Sequence, residues 1–124
     1  MSYLLDSNVL IYHLHDSLTE FGQSLLLQAI LRGGAYSMIS RIEVLGYPQS
    51  HAETEAANNL LSKLNEVLID ESVIDYAIHL RIVRKIKIPD AIVAASALVM
   101  ELPLVTRNVR DFTGIDGLER VLKA

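Results

Sequence analysis

Short apolar runs alternate with longer amphipathic stretches along the 124 residues, with no low-complexity segment, internal repeat or linker. Strand-length runs alternating with helix-length ones point to a single α/β unit. Tyr3 to Leu5 reads as a short buried strand, and Asn8 to Leu14 as a helix that starts straight after Asp6 and Ser7. Leu18 to Leu31 is helical and stops at Gly33-Gly34. Tyr36 to Ile39 reads as the second strand, followed by a helix from Arg41 to Gly46 that Pro48 cannot continue. Another helix is expected from about Glu53 to Leu64, then a third strand over Val67 to Ile69. Ser72 to Lys85 has Val73, Ala77, Leu80 and Arg84 at helical spacing. Pro89 to Met100 is apolar nearly all round, which predicts a buried helix, and Ala91, Ala94, Ala95 and Ala97 allow it to approach a sheet closely. Leu104 and Val105 form a strand before the polar turn Thr106-Arg107-Asn108, and Arg120 to Leu122 is a candidate terminal edge strand.

Composition adds limits to this pattern. The length suits one domain over residues 1–124, able to bury a core without staples. Hydrophobic residues make up 51% of the chain, high for so small a domain, so some apolar surface is expected to meet a partner. A net charge of −4 argues against indiscriminate nucleic-acid binding through a globally basic surface, and leaves room for a local basic rim. The absence of cysteine removes disulfides, zinc–thiolate sites and thiol nucleophiles. With no signal-like N-terminus and no stretch of membrane-spanning length, the expected setting is the cytoplasm, away from membranes.

Four acids, Asp6, Glu43, Asp90 and Asp111, stand where apolar strands or turns hand over to helices, spread along the whole chain. In a parallel α/β sheet the C-terminal strand ends share one edge, so these carboxylates can converge on a crevice there. A carboxylate-lined crevice suits Mg²⁺ or Mn²⁺, hard cations commonly used on phosphate substrates, and points to phosphodiester chemistry. Each acid also has an ordinary structural explanation. Glu43 follows Ser40 at the Ser-x-x-Glu spacing of a helix capping box, a pattern repeated at Ser17 with Glu20 and, with aspartate, at Ser72 with Asp75. Asp90 after Pro89 suits a helix start, although an acid opening a buried helix needs compensation. Asp6 ends a buried strand, where solvation helps least, and Asp111, beside Phe112, is the least distinctive.

Four blocks carry a resemblance: Leu4-Leu5-Asp6-Ser7-Asn8-Val9-Leu10-Ile11-Tyr12, Ser40-Arg41-Ile42-Glu43-Val44-Leu45-Gly46-Tyr47, Pro89-Asp90-Ala91-Ile92-Val93-Ala94-Ala95-Ser96-Ala97, and Val105-Thr106-Arg107-Asn108-Val109-Arg110-Asp111-Phe112. In this order and spacing, across nearly the full chain, they resemble a PIN domain, and the compact length resembles the VapC-type toxins of bacterial toxin–antitoxin modules. The resemblance implies a three-layer α/β/α sandwich with a mostly parallel central sheet, binding Mg²⁺ or Mn²⁺ in an acidic pocket and cleaving RNA to 5′-phosphate and 3′-hydroxyl ends. By position Asp6, Glu43, Asp90 and Asp111 match the acidic set. One departure stands out: many PIN domains carry an acid where this chain has Asn108. Either Asp111 completes the pocket, or three acids form it with Asn108 as a neutral donor or ligand. The resemblance also implies a cognate antitoxin, with a homodimer as the expected assembly.

The chemistry follows from such a ligand set. Carboxylates held together without metal raise one another's pKa, whereas a divalent ion lowers the pKa of a bound water and orients it on a backbone phosphorus. Ser7 and Thr106 are candidates to orient water or ligands, and equally cap and turn hydroxyls. Arg81, Arg84, Lys85 and Lys87 form the densest basic stretch, leading into Pro89-Asp90. These side chains either guide RNA or merely favour the end of a helix, while Arg107 and Arg110 flank the last acidic block and are better placed to touch a phosphate. His13-x-His15 is spaced wrongly for a shared helix face. Two other functions compete. A phosphoaspartyl phosphatase wants a second aspartate at the position of Asn8 and a lysine from a later block, and both are absent; a PIN-fold module that binds without catalysing needs none of the acids.

Overall fold

The computed structural model describes residues 2–124, so Met1 of the expected 1–124 span lies outside the described residues. Five short strands, β1 (Leu4–Leu5), β2 (Ala35–Ser37), β3 (Asn65–Val67), β4 (Leu104–Thr106) and β5 (Val121–Lys123), form one sheet in the order β3-β2-β1-β4-β5. Every pairing is parallel. Leu4 lies opposite Ala35 and Leu104, and Leu5 opposite Tyr36 and Val105. Because side chains alternate along a strand, these two rows point to opposite faces.

Each face meets its own layer of helices. Leu4, Ala35 and Leu104 join a core with Val73 and Leu80 of α5 (Glu71–Val83) and the alanines of α6 (Ile88–Met100). Leu5, Tyr36 and Val105 join the second core with α1 (Ser7–Leu14), α2 (Glu20–Leu31) and α4 (His51–Ser62). The result is an α/β/α sandwich with a central parallel sheet. Burial on both faces explains why its strands read as unbroken apolar runs instead of alternating ones. The helix α3 (Met38–Leu45) joins the layers, with Val44 in the second core and Ile39 packed on the first. Among the described residues no helix is long and apolar enough to cross a membrane.

Several boundaries differ from the sequence expectation, each for a local reason. Strand β2 stops at Ser37, not Ile39, because the Ser37 hydroxyl accepts the Ile39 amide at 3.3 Å and opens α3 three residues before Arg41. Strand β3 lies two residues earlier than Val67 to Ile69: the Asn65 amide donates to Gly34 O at 2.9 Å and so sets the register. Leu68, just beyond it, is exposed. Helix α6 is buried through its middle, whereas Ile88 and Met100 at its ends are exposed. A one-turn helix, α7 (Val109–Phe112), occupies a stretch that the apolar pattern left unassigned.

Candidate active site

Strands β1 and β4 are neighbours, yet from that junction the chain order runs outward in both directions. This reversal is the point where a parallel sheet opens a crevice at its C-terminal edge. Asp6 immediately follows β1, and Thr106 ends β4 beside it. Asp6 is only 5% exposed and caps α1: one carboxylate oxygen accepts the Ser7 amide at 2.8 Å, and the other accepts the Thr106 hydroxyl at 2.8 Å. Thr106 in turn accepts the Asn108 amide at 3.0 Å. Burial pushes the Asp6 carboxyl up to about 6; the Thr106 and Ser7 hydrogen bonds pull it down, and the charges of Asp90 and Glu43 add to the rise.

Glu43 projects from α3 and is tied to the same corner. The Ser7 hydroxyl lies 2.6 Å from a Glu43 carboxylate oxygen and 2.7 Å from the Ser40 hydroxyl. A hydroxyl has one proton and a carboxylate only accepts, so Ser7 donates to Glu43 and receives the Ser40 proton. Glu43 is thus no capping residue, since the cap of α3 is Ser37. The other two Ser-x-x-acid patterns are not caps either: Thr19 caps α2 and Asp70 caps α5. The chain's real capping box is Ser50 with Glu53, at the start of α4.

Asp90 sits in the first turn of α6 after Pro89. Its carboxyl is held above the usual range by burial first, then by the charges of Asp111 and Glu43, against a lowering from Lys87. Asp6, Glu43 and Asp90 therefore sense one another in every pairing, whereas Asp111, on α7, acts on Asp90. Among the described residues, no three His, Cys, Asp or Glu side chains are grouped closely enough to hold an ion together. The donors at this corner are oxygens throughout, which suits a hard cation, and Mg²⁺ is commonly held by one or two carboxylates with substrate phosphate and water. The residues present fit such an ion.

A cleft of about 480 Å³ opens beside Asp90, lined by Arg81, Arg84, Lys85, Ile86, Lys87, Arg110 and Asp111. Asp6 and Glu43 do not line it, so the cationic cleft adjoins buried Asp6 and exposed Glu43 through Asp90. Arg107 is engaged elsewhere: its guanidinium lies 4.7 Å over the Tyr12 ring and donates to the Ala124 carbonyl, while its amide donates to Asn8 Oδ1 at 3.1 Å. Asn108 is exposed and opens α7 without a side-chain cap. His13 pairs through Nδ1 with Gln23 at 2.8 Å. Sequence reasoning gave Ser40 only a capping role and gave Tyr12 none. For Ser40 the signal was present, because a residue three before Glu43 shares its helix face.

A family model described as PIN domain matches residues 3–118. Among solved structures, the chain is 32% identical to one in a toxin–antitoxin complex from Klebsiella pneumoniae, covering 98% of this chain and 96% of that one at a TM-score of 0.79. It is 21% identical to one in a VapBC complex from Rickettsia felis bound to a promoter DNA fragment, covering 100% and 99% at a TM-score of 0.81. It is 23% identical to one in DNA-bound VapBC from Salmonella typhimurium, covering 99% and 98% at a TM-score of 0.81. No curated protein matches the chain significantly.

Proposed function

Since the chain belongs to the PIN domain family, we propose that it is a Mg²⁺- or Mn²⁺-dependent endoribonuclease of VapC type, the toxin of a VapBC-type pair. The observation that carries this reading is the hydrogen-bonded corner at the reversal point of the sheet, where Ser7 joins Asp6 through its amide and Glu43 through its hydroxyl, with Asp90 near enough to raise the Asp6 pKa. Asp6, Glu43 and Asp90 hold the cation, with Asp111 as the fourth acid. Asn108 is the neutral alternative to Asp111. A divalent ion there screens the carboxylates from one another, acidifies water and offsets the charge that builds on the phosphate oxygens.

The chain's own groups supply orientation. The Ser7 amide and the Thr106 hydroxyl take one lone pair from each oxygen of Asp6 and leave the others for a ligand. The Ser7 hydroxyl, backed by Ser40, holds one oxygen of Glu43 and leaves the other for a ligand. Lys85, Lys87 and Arg110 line the adjoining cleft and meet the phosphates of the strand. Hydrolysis adds water across one phosphodiester: the phosphorus gains the water oxygen, the bond to the 3′ oxygen breaks, and that oxygen takes a proton. The products carry a 5′-phosphate and a 3′-hydroxyl.

The proposed setting is the cytoplasm, the proposed unit a single domain over 1–124, and the proposed partners an antitoxin and a second copy of the chain. A support for partner binding is the exposed apolar surface: Phe21, Leu27 and Leu31 on α2, and Ile74, Ile78 and Ile82 on α5. That no three acids among the described residues are grouped closely enough to hold an ion together favours one second reading, a PIN-fold module that binds a partner without cutting RNA. A phosphoaspartyl phosphatase has less support, since Asn8 stands where its second aspartate belongs and accepts the Arg107 amide.

Incubating total bacterial RNA with the purified protein and sequencing new 5′-phosphate ends tests the choice. Discrete ends that require Mg²⁺ or Mn²⁺, disappear with chelator and are absent with Asp90→Asn are the expected result. No new ends from antitoxin-free protein that binds Mn²⁺ would move the conclusion to the binding module.

A further inference from the structure

The cations of the cleft beside Asp90 fall into two groups. Arg81 donates to the Ile86 carbonyl, and Arg84 donates to two carbonyls, Thr113 at 3.0 Å and Asp111 at 3.3 Å. The side chains of Lys85, Lys87 and Arg110 make no hydrogen bond or ion pair among the described residues, although the Lys87 charge is felt by Asp90. A guanidinium whose fixed fork already spans two main-chain oxygens is spent on structure, whereas an unpaired ammonium is available to a phosphate.

What the Arg84 fork holds cannot support itself. Helix α7 has four residues and no side-chain cap at Asn108, and so short a helix is not stable on its own in water. It is held by Phe112, which is buried in the first core, by the Asn108 amide on the Thr106 hydroxyl, by the Thr113 hydroxyl on the Val109 carbonyl, and by the two carbonyls on either side of Phe112 that Arg84 grips. One of those carbonyls belongs to Asp111 itself. Arg84 is half-buried at the C-cap of α5, and its own amide donates to Leu80 O at 3.1 Å, so the anchor is tied to a long packed helix.

We propose that Arg84 is a positioning residue, which fixes the main chain of α7 and thereby sets Asp111 against Asp90, and that it does not contact substrate phosphate. The role in metal binding rests on the reading of Asp111 as part of the divalent-ion site. Phosphate contact then falls to Lys85, Lys87 and Arg110.

Arg84→Lys keeps the charge and loses the fork, so it separates the two roles; Arg84→Ala and Lys87→Ala complete the set, all in the full chain. In metal-free protein, amide hydrogen exchange over residues 109–113 is expected to speed up in Arg84→Lys and to stay unchanged in Lys87→Ala. Calorimetry with Mn²⁺ is expected to show roughly 10-fold weaker binding in Arg84→Lys, as for other groups that orient a ligand from behind. That loss should vanish when the substitution is placed on Asp111→Ala, because the effect runs through Asp111. With a fluorescent single-stranded RNA and no metal, Lys87→Ala should reduce the slope of log affinity against log salt by about 0.7, the share of one phosphate, while Arg84→Lys and Arg84→Ala leave it unchanged.

Wild-type exchange and Mn²⁺ affinity in Arg84→Lys would overturn the proposal, as would a slope lost in Arg84→Ala and restored by lysine. A Mn²⁺ loss that persists on Asp111→Ala would overturn the route through Asp111. If Arg84→Ala does not fold, the lysine variant decides. Wild-type protein that neither binds Mn²⁺ nor cuts RNA would sink the nuclease reading and the metal role with it, and the exchange measurement would still show whether Arg84 holds α7.

Discussion

At the scale of single residues, Asp6 shows how the fold sets chemistry. It is nearly buried, and its carboxyl is pushed from 3.8 to about 6, mainly by loss of solvent. Without metal, the folded chain therefore holds a proton that the unfolded chain gives up between about pH 4 and 6. The linkage makes folding less favourable as pH rises through that window, by up to about 3 kcal/mol for a shift of this size. Below the unfolded value the penalty is absent, and above the folded value it is complete. Urea unfolding in chelator at pH 4, 5, 6 and 7.5 is expected to show this decline in the wild type and a flatter profile in Asp6→Asn. A profile of equal slope in the two proteins would remove Asp6 as the source. Thr106 explains why the site tolerates this acid, since its hydroxyl supports the charged form from 100 residues away in sequence.

At the scale of elements, the same local motif serves two ends. Ser50 and Glu53 form a reciprocal cap at 2.8 and 3.1 Å on an exposed helix start. Ser40 and Glu43 share the spacing inside α3, where their side chains meet Ser7 instead of the main chain. The two should respond oppositely. Ser50→Ala is expected to lower stability by about 1 kcal/mol in urea unfolding and to leave Mn²⁺ affinity unchanged. Glu43→Gln keeps an acceptor for Ser7, so its stability should hardly move, while Mn²⁺ affinity measured by calorimetry falls at least several-fold. Unchanged affinity in Glu43→Gln would remove Glu43 from the ligand set. The helix that the apolar pattern overlooked, α7, is short for the same kind of reason. One turn offers too few positions for a period to appear, and Phe112, Thr106 and Arg84 help hold it.

At the scale of the whole molecule, the double-faced sheet accounts for much of the high apolar content, and exposed residues on α2 and α5 account for more. Both helices keep a buried stripe and still show large aliphatic side chains to solvent, Leu31 at 73% and Ile82 at 77% exposed. Purified antitoxin-free protein is accordingly expected to show, by light scattering, twice the mass of the 13.8 kDa chain. A single-chain mass at tens of micromolar would remove the second copy and leave the antitoxin as the partner that covers these faces.

By itself the sequence determined the alternation of strands and helices, the buried middle of α6 and the parallel α/β class, and it offered Asp6, Glu43, Asp90 and Asp111 as candidates, because period, caps and composition are local properties. It did not determine strand order, and strand order is what carries Asp6 to Thr106 and Ser7 to Glu43. Nor did it separate Ser40 from an ordinary cap, or Arg84 and Arg107, which are spent on main-chain carbonyls, from Lys85, Lys87 and Arg110, which are not. Such distinctions depend on which partner lies within about 3 Å of a side chain, and for residues tens of positions apart only the closed tertiary structure decides that.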